Sequence, residues 1–349
     1  MDTYFVKKKI KVLIVDDSAV VRRILSEGLS KDPDIEIVGT APDPYVARDK
    51  ISQLQPDVIT LDIEMPRMDG LTFLEKLMAH FPLPVIIISS LSRQGGLTAM
   101  KALELGAVDV ITKPPADVST ALGEMMIMLT DKIKGAAKAK ISGKRITTVA
   151  KNEILTSSIK TTDNILALAA STGGTEALVY VLSNLPSNTP ATVIVQHMPP
   201  YFTSTFAERL NKNSPMEVRE AKNGDTLHQG LALLAPGGFH MMLRKSGARF
   251  YVEIKDGPLV CRVKPSADVL FKSVAKYAGL NAVGVIMTGM GQDGALGLLE
   301  MLNAGASTIG QNEESCIVYG MPKAAVEFGA VQTVSSLENI PKEILKKFQ

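Results

Sequence analysis

An alternation that occurs twice along this chain constrains its fold more than any other feature. Short apolar, β-branched runs are separated by polar-faced stretches of helical length. The first set of runs is IKVLIVDD, IEIVGTA, DVITLDIEM, PVIIISS and VDVITKP. Continuous apolar runs mark strands buried on both faces, because helices must cover each side. Five such strands alternating with helices predict a doubly wound parallel sheet, a (βα)5 unit. Its last helix, around residues 117–134, carries EMMIMLTDKIK, and the methionine stripe reads as core packing. From residue 163 the rhythm resumes with NILALAAS, ATVIVQHM, MEVREA, LALLAP, AVGVIMTG and ASTIGQNE. The stretch HMMLRKSGARFYVEI reads instead as a β-hairpin, with Ser246-Gly247 at its turn. Residues 135–160 are small, Lys-rich and Ser/Thr-rich, which predicts a flexible basic linker. The expected α/β organisation is a (βα)5 domain over 1–134, that linker, and a larger α/β domain over 161–349.

Composition narrows the function classes. A chain of 349 residues, 46% of them hydrophobic, can bury two sizeable cores. A net charge of +2 is too small to indicate a nucleic-acid surface, and no compact helix-turn-helix with a basic recognition helix is visible. No apolar stretch approaches the ~20 residues of a membrane span. Asp16 and Asp17 end the N-terminal apolar run too early for a signal peptide. Cys261 and Cys316 lie far apart with no Cys-x-x-Cys, so neither a disulfide framework nor a zinc site is expected. A reducing, cytoplasmic compartment follows as an expectation.

In a parallel sheet, the carboxyl ends of the strands share one edge, where such folds place their sites. In the first half those ends carry Asp16-Asp17, Asp62, Ser89-Ser90 and Thr112-Lys113-Pro114. Three carboxylates on one edge repel one another unless a hard cation such as Mg²⁺ joins them. A nearby lysine supplies a point charge for phosphate. The set suits an aspartate that accepts a phosphoryl group. Helix N-capping is the plain alternative, and it explains one or two of these acids rather than the set. VDDS, LDIEMPRMDG, SS and TKP at these spacings resemble a response-regulator receiver domain over residues 8–130. The resemblance implies that Asp62 is the phosphoacceptor. It implies that Asp16, Asp17, Asp62 and the Glu64 backbone hold Mg²⁺, and that Ser89 and Lys113 sense the phosphoryl group. Val110 departs from the pattern, since many receivers carry an aromatic residue three before the lysine.

In the second half, LALAASTGG ends an apolar run in hydroxyls and glycines. It matches neither G-x-G-x-x-G, nor G-x-x-x-x-G-K-[ST], nor the G-x-S-x-G elbow. Ser171 nonetheless ends a strand, with Gly173-Gly174 opening a helix. A serine nucleophile there and a simple helix cap are both compatible with the residues. A nucleophile needs a base. His197 ends another strand and His240 begins the hairpin, so His197 is favoured and His240 is its rival. An orienting acid is then required. Asp293 follows a third strand, although a plain N-cap would also place an aspartate there.

ASTGGTEA, QHMPPYFTSTFAERLN, LAPGGFHM, DGP, PSADVLFKSVA, GVIMTGMGQDGA and GMPKAA resemble the catalytic domain of bacterial chemotaxis protein-glutamate methylesterase/protein-glutamine glutaminase, over residues 163–345. The resemblance implies a Ser171–His197–Asp293 triad supported by Thr172 and Gly173, and an oxyanion-binding loop that includes Met290. It implies a phosphorylation-activated hydrolase that removes methyl esters from glutamyl side chains of chemotaxis receptors and deamidates receptor glutamines. The implied partners are those receptors and the pathway's sensor histidine kinase, and the esterase itself is expected to need no cofactor. Cys261-Arg262-Val263-Lys264 departs from the more His/Arg-rich run common before PSAD. A receiver-regulated acyl hydrolase of another substrate and a receiver-linked nucleotide-binding module are the alternatives, and the absent glycine fingerprint disfavours the second.

Overall fold

The computed structural model describes residues 8–65, 68–90, 92–113, 119–139 and 163–349. The chain divides into two compact units, Met1–Arg145 and Ile146–Gln349.

In the first unit, β1 (Ile10–Val15), β2 (Ile35–Ala41), β3 (Val58–Asp62), β4 (Val85–Ser89) and β5 (Asp109–Thr112) form one parallel sheet, ordered β2-β1-β3-β4-β5. They alternate with α1 (Ala19–Leu29), α2 (Pro44–Leu54), α3 (Gly70–His80), α4 (Arg93–Glu104) and α5 (Ser119–Ala136). Every side chain of β3 and β4 is buried, as their unbroken apolar runs require. Ser18, Asp43, Asp69 and Ser92 cap α1 to α4, each accepting a hydrogen bond from a first-turn N–H. The caps are therefore different residues from the acids that end β1 and β3. Strand order reverses between β1 and β3, which opens a crevice at their carboxyl ends. Helix α5 buries Met125, Leu129, Ile133 and Ala136, and a buried Lys132–Asp109 ion pair of 2.6 Å ties it to β5. This helix runs two residues past the expected boundary at 134. Residues 140–160 of the expected linker lie outside the described residues.

In the second unit, a seven-stranded parallel sheet has the order β14-β13-β12-β6-β7-β9-β8. Its strands are β6 (Ile165–Ala170), β7 (Ala191–Gln196), β8 (Glu217–Glu220), β9 (Leu231–Leu234), β12 (Ala282–Ile286), β13 (Ser307–Gln311) and β14 (Thr333–Ser335). The antiparallel hairpin is β10 (His240–Ser246) with β11 (Arg249–Lys255). Helices α6 (Gly174–Ser183), α7 (Phe202–Asn213), α8 (Ala267–Tyr277), α9 (Ala295–Asn303), α10 (Met321–Glu327) and α11 (Ile340–Lys347) complete the unit. The chain builds outward from β6 to β7, then returns past β6 to build β12 and β13. The strand order therefore reverses beside β6.

Two details differ from expectation. The hairpin loop is Gly247-Ala248, one residue later, because Ser246 still pairs with Arg249 and the turn needs Gly247 at φ +58°. Strand β14 and helices α10 and α11 were not anticipated. A three-residue strand carries too little periodicity to be read without the neighbour that pairs with it.

Candidate active site

Register brings the candidate residues of the second unit together. Ala170 pairs with Gln196, so Ser171 and His197, the next residues, leave adjacent strands side by side. On the other flank of β6, Ser171 N–H donates to Thr288 C=O at 3.0 Å, just beyond β12. Gly289 lies against Ser171, and a Cβ there would sit 2.7 Å from Ser171 Cβ, so a side chain is excluded. The N-cap of α6 is Gly173, at φ +76°, and it makes no side-chain cap bond. Ser171 is thus not the helix cap. Its carbonyl accepts from Gly174 N–H at 2.7 Å and from Gln196 Nε2 at 2.8 Å, which holds the turn. Its hydroxyl makes no hydrogen bond among the described residues, although the residue is only 7% exposed.

The two buried histidines, His197 after β7 and His240 at the start of β10, differ in what their nitrogens do. His197 Nε2–H donates to Asp293 Oδ2 at 2.7 Å, which leaves its Nδ1 lone pair uncommitted. In His240, Nδ1 accepts from Ser266 N–H at 3.2 Å and Nε2–H donates to Pro258 C=O at 2.9 Å. Both nitrogens of His240 are therefore committed to backbone.

Asp293 caps no helix of its own. The N-cap of α9 is Gly294, at φ +90°, without a side-chain bond. The Asp293 carboxylate turns instead to the N-terminus of α8. Oδ1 accepts from Ser266 Oγ at 2.6 Å and from Asp268 N–H at 3.3 Å, while Oδ2 accepts from Ala267 N–H at 2.6 Å as well as from His197. Burial raises its pKa, but the His197, Ser266 and Ala267 hydrogen bonds outweigh burial and hold it below the ordinary aspartate value. It stays ionised where an imidazolium would need it.

Thr172 is buried, and its carbonyl accepts from Thr288 Oγ1 at 3.0 Å. The backbone N–H groups of Gly173 and Met290 find no acceptor among the described residues. Two free donors near a hydroxyl suit a developing oxyanion. Cys261, in the departing segment, lies beside this network with Sγ 3.9 Å from Asp268 Oδ2. Burial first, then Asp293 and Asp268, push its thiol up to about 11, so it remains protonated and unreactive near neutrality. Ser266 and Gln196 escaped the sequence reading as support residues. Ser266, the second residue of PSAD, carries an N-cap signal for α8, but nothing local ties it to Asp293.

The first unit holds the second cluster. Oxygens of Asp16, Asp17 and Asp62 lie within 4.8 Å of one another. Lys113 Nζ is 2.7 Å from Asp62 Oδ2 and 3.2 Å from Asp16 Oδ2. The second contact lacks hydrogen-bond geometry, so Asp16 Oδ2 is a buried carboxylate oxygen without a hydrogen bond. Burial, only partly offset by Lys113, pushes Asp62 up to about 6 and raises Asp16 as well. A buried oxygen with no hydrogen bond among the described residues, in a cluster of three acids facing one lysine, fits a divalent cation. Glu64 N–H donates to Asp62 Oδ1 at 3.1 Å, which sets the loop after β3. Ser89 Oγ donates to Gly95 C=O at 3.3 Å, at the start of α4, and Val110 is buried in β5.

Comparison with known proteins gives the same division. The family model for CheB methylesterase matches residues 166–344, and that for the response regulator receiver domain matches residues 12–122. The chain is 57% identical over 341 residues to protein-glutamate methylesterase/protein-glutamine glutaminase 2 of Syntrophus aciditrophicus, covering 97% of this chain and 99% of that protein. It is 53% identical over 351 residues to the protein-glutamate methylesterase/protein-glutamine glutaminase of Bdellovibrio bacteriovorus, covering 98% of each. Among solved structures, the CheB methylesterase catalytic domain of Thermotoga maritima is similar with a TM-score of 0.52 at 33% identity, covering 52% of this chain and 97% of that one.

Proposed function

The chain belongs to the CheB methylesterase family, with a response-regulator receiver domain ahead of the catalytic domain, and we propose that it is a phosphorylation-activated protein-glutamate methylesterase and protein-glutamine glutaminase. The observation that carries the catalytic half is the 2.7 Å bond from His197 Nε2 to Asp293, beside a serine hydroxyl that makes no hydrogen bond among the described residues. Ser171 Oγ attacks the ester carbonyl of a methylated glutamyl side chain as its proton passes to His197 Nδ1. Asp293 fixes the imidazole tautomer through Nε2 and stabilises the imidazolium. The N–H groups of Gly173 and Met290 hold the oxyanion, with Thr172 supporting the turn. Each such donor is worth about 3–4 kcal/mol in a serine protease. His197 returns the proton to the departing methoxide, and methanol leaves an acyl-serine. Water then attacks the acyl carbon, again losing its proton to Nδ1, and frees the glutamate and Ser171. A glutamine substrate follows the same course with ammonia leaving, and no step needs a cofactor.

In the receiver, Asp62 accepts the phosphoryl group. Asp16, Asp17, Asp62 and the Glu64 backbone would hold Mg²⁺, which would supply positive charge to neutralise that group. Lys113 and Ser89 read the modification. The phosphodonor is a sensor histidine kinase of the chemotaxis pathway, the substrates are methyl-accepting receptors, and the site of action is the cytoplasm. No described helix is long and apolar enough to cross a membrane.

The test is methanol release from methylated receptor membranes, with and without acetyl phosphate. Release should rise with the phosphodonor and Mg²⁺ and vanish in Ser171→Ala. Persistent release from Ser171→Ala would overturn the catalytic assignment.

A further inference from the structure

His240 is left without a part in the chemistry, yet it is buried at the start of β10, against the α8 entrance that holds Asp293, and both its nitrogens are bonded. Pro258 C=O can only accept and Ser266 N–H can only donate, so the two partners dictate a neutral ring with its proton on Nε2. Ser266 is completely buried and joins two systems. Its N–H ends on His240 Nδ1, and its Oγ donates to Asp293 Oδ1 at 2.6 Å while accepting from Val269 N–H as the N-cap of α8. The next N–H, that of Ala267, also ends on Asp293. The first turn of α8 is thus the cradle of Asp293, and His240 provides the acceptor that orients the peptide at its entrance.

From this relay we infer that His240 is a positioning residue for Asp293, acting through Ser266. The inference rests on the Ser171–His197–Asp293 reading above. Without an acceptor on the ring, the buried Ser266 N–H would turn to find one. The Ser266 hydroxyl and the Ala267 N–H would then leave the carboxylate, and Asp293 would lose its aim on His197 Nε2. Catalysis would suffer while substrate binding would not, because the ring faces backbone and the Asp293 cradle.

The test uses the full-length chain on methylated receptor membranes, with unfolding midpoints measured in parallel. A small fluorophosphonate that labels reactive serine serves as a second probe. His240→Leu is expected to lower kcat and the labelling rate by about 10- to 100-fold with KM unchanged. His240→Asn, whose Oδ1 reaches the place of Nδ1, should recover both to within about 3-fold of the parent, whereas His240→Gln, whose amide reaches the place of Nε2, should not. Ser266→Ala should resemble His240→Leu, and the double variant should be no worse than about 2-fold below the slower single one. The inference falls if folded His240→Asn is as slow as His240→Leu, if the double variant multiplies the two losses, or if only KM or the unfolding midpoint moves. Ser171→Ala and His197→Ala separate this failure from that of the underlying reading. If either retains methanol release, the triad assignment falls. If both are inactive while His240→Leu is normal, only the positioning role falls.

Discussion

Two buried histidines, His197 after β7 and His240 at the start of β10, are separated by the state of a single atom. His197 Nδ1 is uncommitted, and His240 Nδ1 already accepts a backbone N–H. A base must have a lone pair to take the serine proton, so the proposed mechanism depends on that difference. Ser171→Ala and His197→Ala should each lower kcat by ~10⁵-fold or more, and the double variant should be little worse, because triad members act as a unit. Asp293→Asn should cost less, ~10³- to 10⁴-fold, since the residue orients and does not react. Methanol release at saturating receptor measures all of these. Asp62 makes a prediction of a different kind. Its folded-state pKa of about 6 exceeds the ordinary 3.8, so the folded receiver binds that proton more tightly than the unfolded chain does. The corresponding stability is fully present below pH 3.8 and is lost as the pH rises through about 6, up to about 3 kcal/mol. At pH 7.5 without divalent metal, Asp62→Asn should therefore raise the receiver's calorimetric midpoint by several degrees while abolishing labelling by acetyl phosphate. Mg²⁺ should raise the midpoint of the parent chain more than that of the variant. A lowered midpoint in the variant would mean that the Lys113 pair outweighs burial.

Between β6 and α6, the three residues Ser171, Thr172 and Gly173 convert a buried strand into a candidate site. Gly173 takes φ +76°, and a Cβ there would lie 2.5 Å from Ile317 Cβ. Gly173→Ala should cost the second unit roughly 1–3 kcal/mol and also slow the labelling of Ser171, because the serine and the N–H of residue 173 belong to one turn. Chemical denaturation and fluorophosphonate labelling measure the two effects, and an unchanged labelling rate would uncouple the turn from the site. Gly173 and Gly174 were legible in the sequence as the opening of a helix. Their necessity was not, because Ile317 and Gln196 become their neighbours only after folding. The same holds for Asp293. Locally it looks like a cap for α9, and it serves the entrance of α8 because that helix presents unpaired N–H groups where the β12 loop arrives.

On the scale of the whole chain, two parallel-sheet units each place their candidate site residues at a strand-order reversal. Under the proposed function, phosphorylation replaces the single negative charge of Asp62 by the about −1.5 to −2 of a phosphoryl group. On the proposed function, a fragment beginning near Thr161 should release methanol faster than the unphosphorylated full chain, and acetyl phosphate should accelerate only the full chain. A folded fragment that is equal or slower would mean that the receiver activates by some route other than restraint. The α/β class and the identity of the strand ends that carry reactive residues follow from the sequence, since burial on both faces forces continuous apolar runs and a parallel sheet collects its carboxyl ends on one edge. Tertiary structure alone decided that β6 lies between β12 and β7. It decided that His197 turns Nε2 to Asp293 while His240 spends both nitrogens on backbone, and that Asp16 keeps a buried oxygen without a hydrogen bond. Strand order, tautomer and an orphaned acceptor all depend on which polar groups from distant parts of the chain come to share one small buried volume, and local pattern carries no record of that.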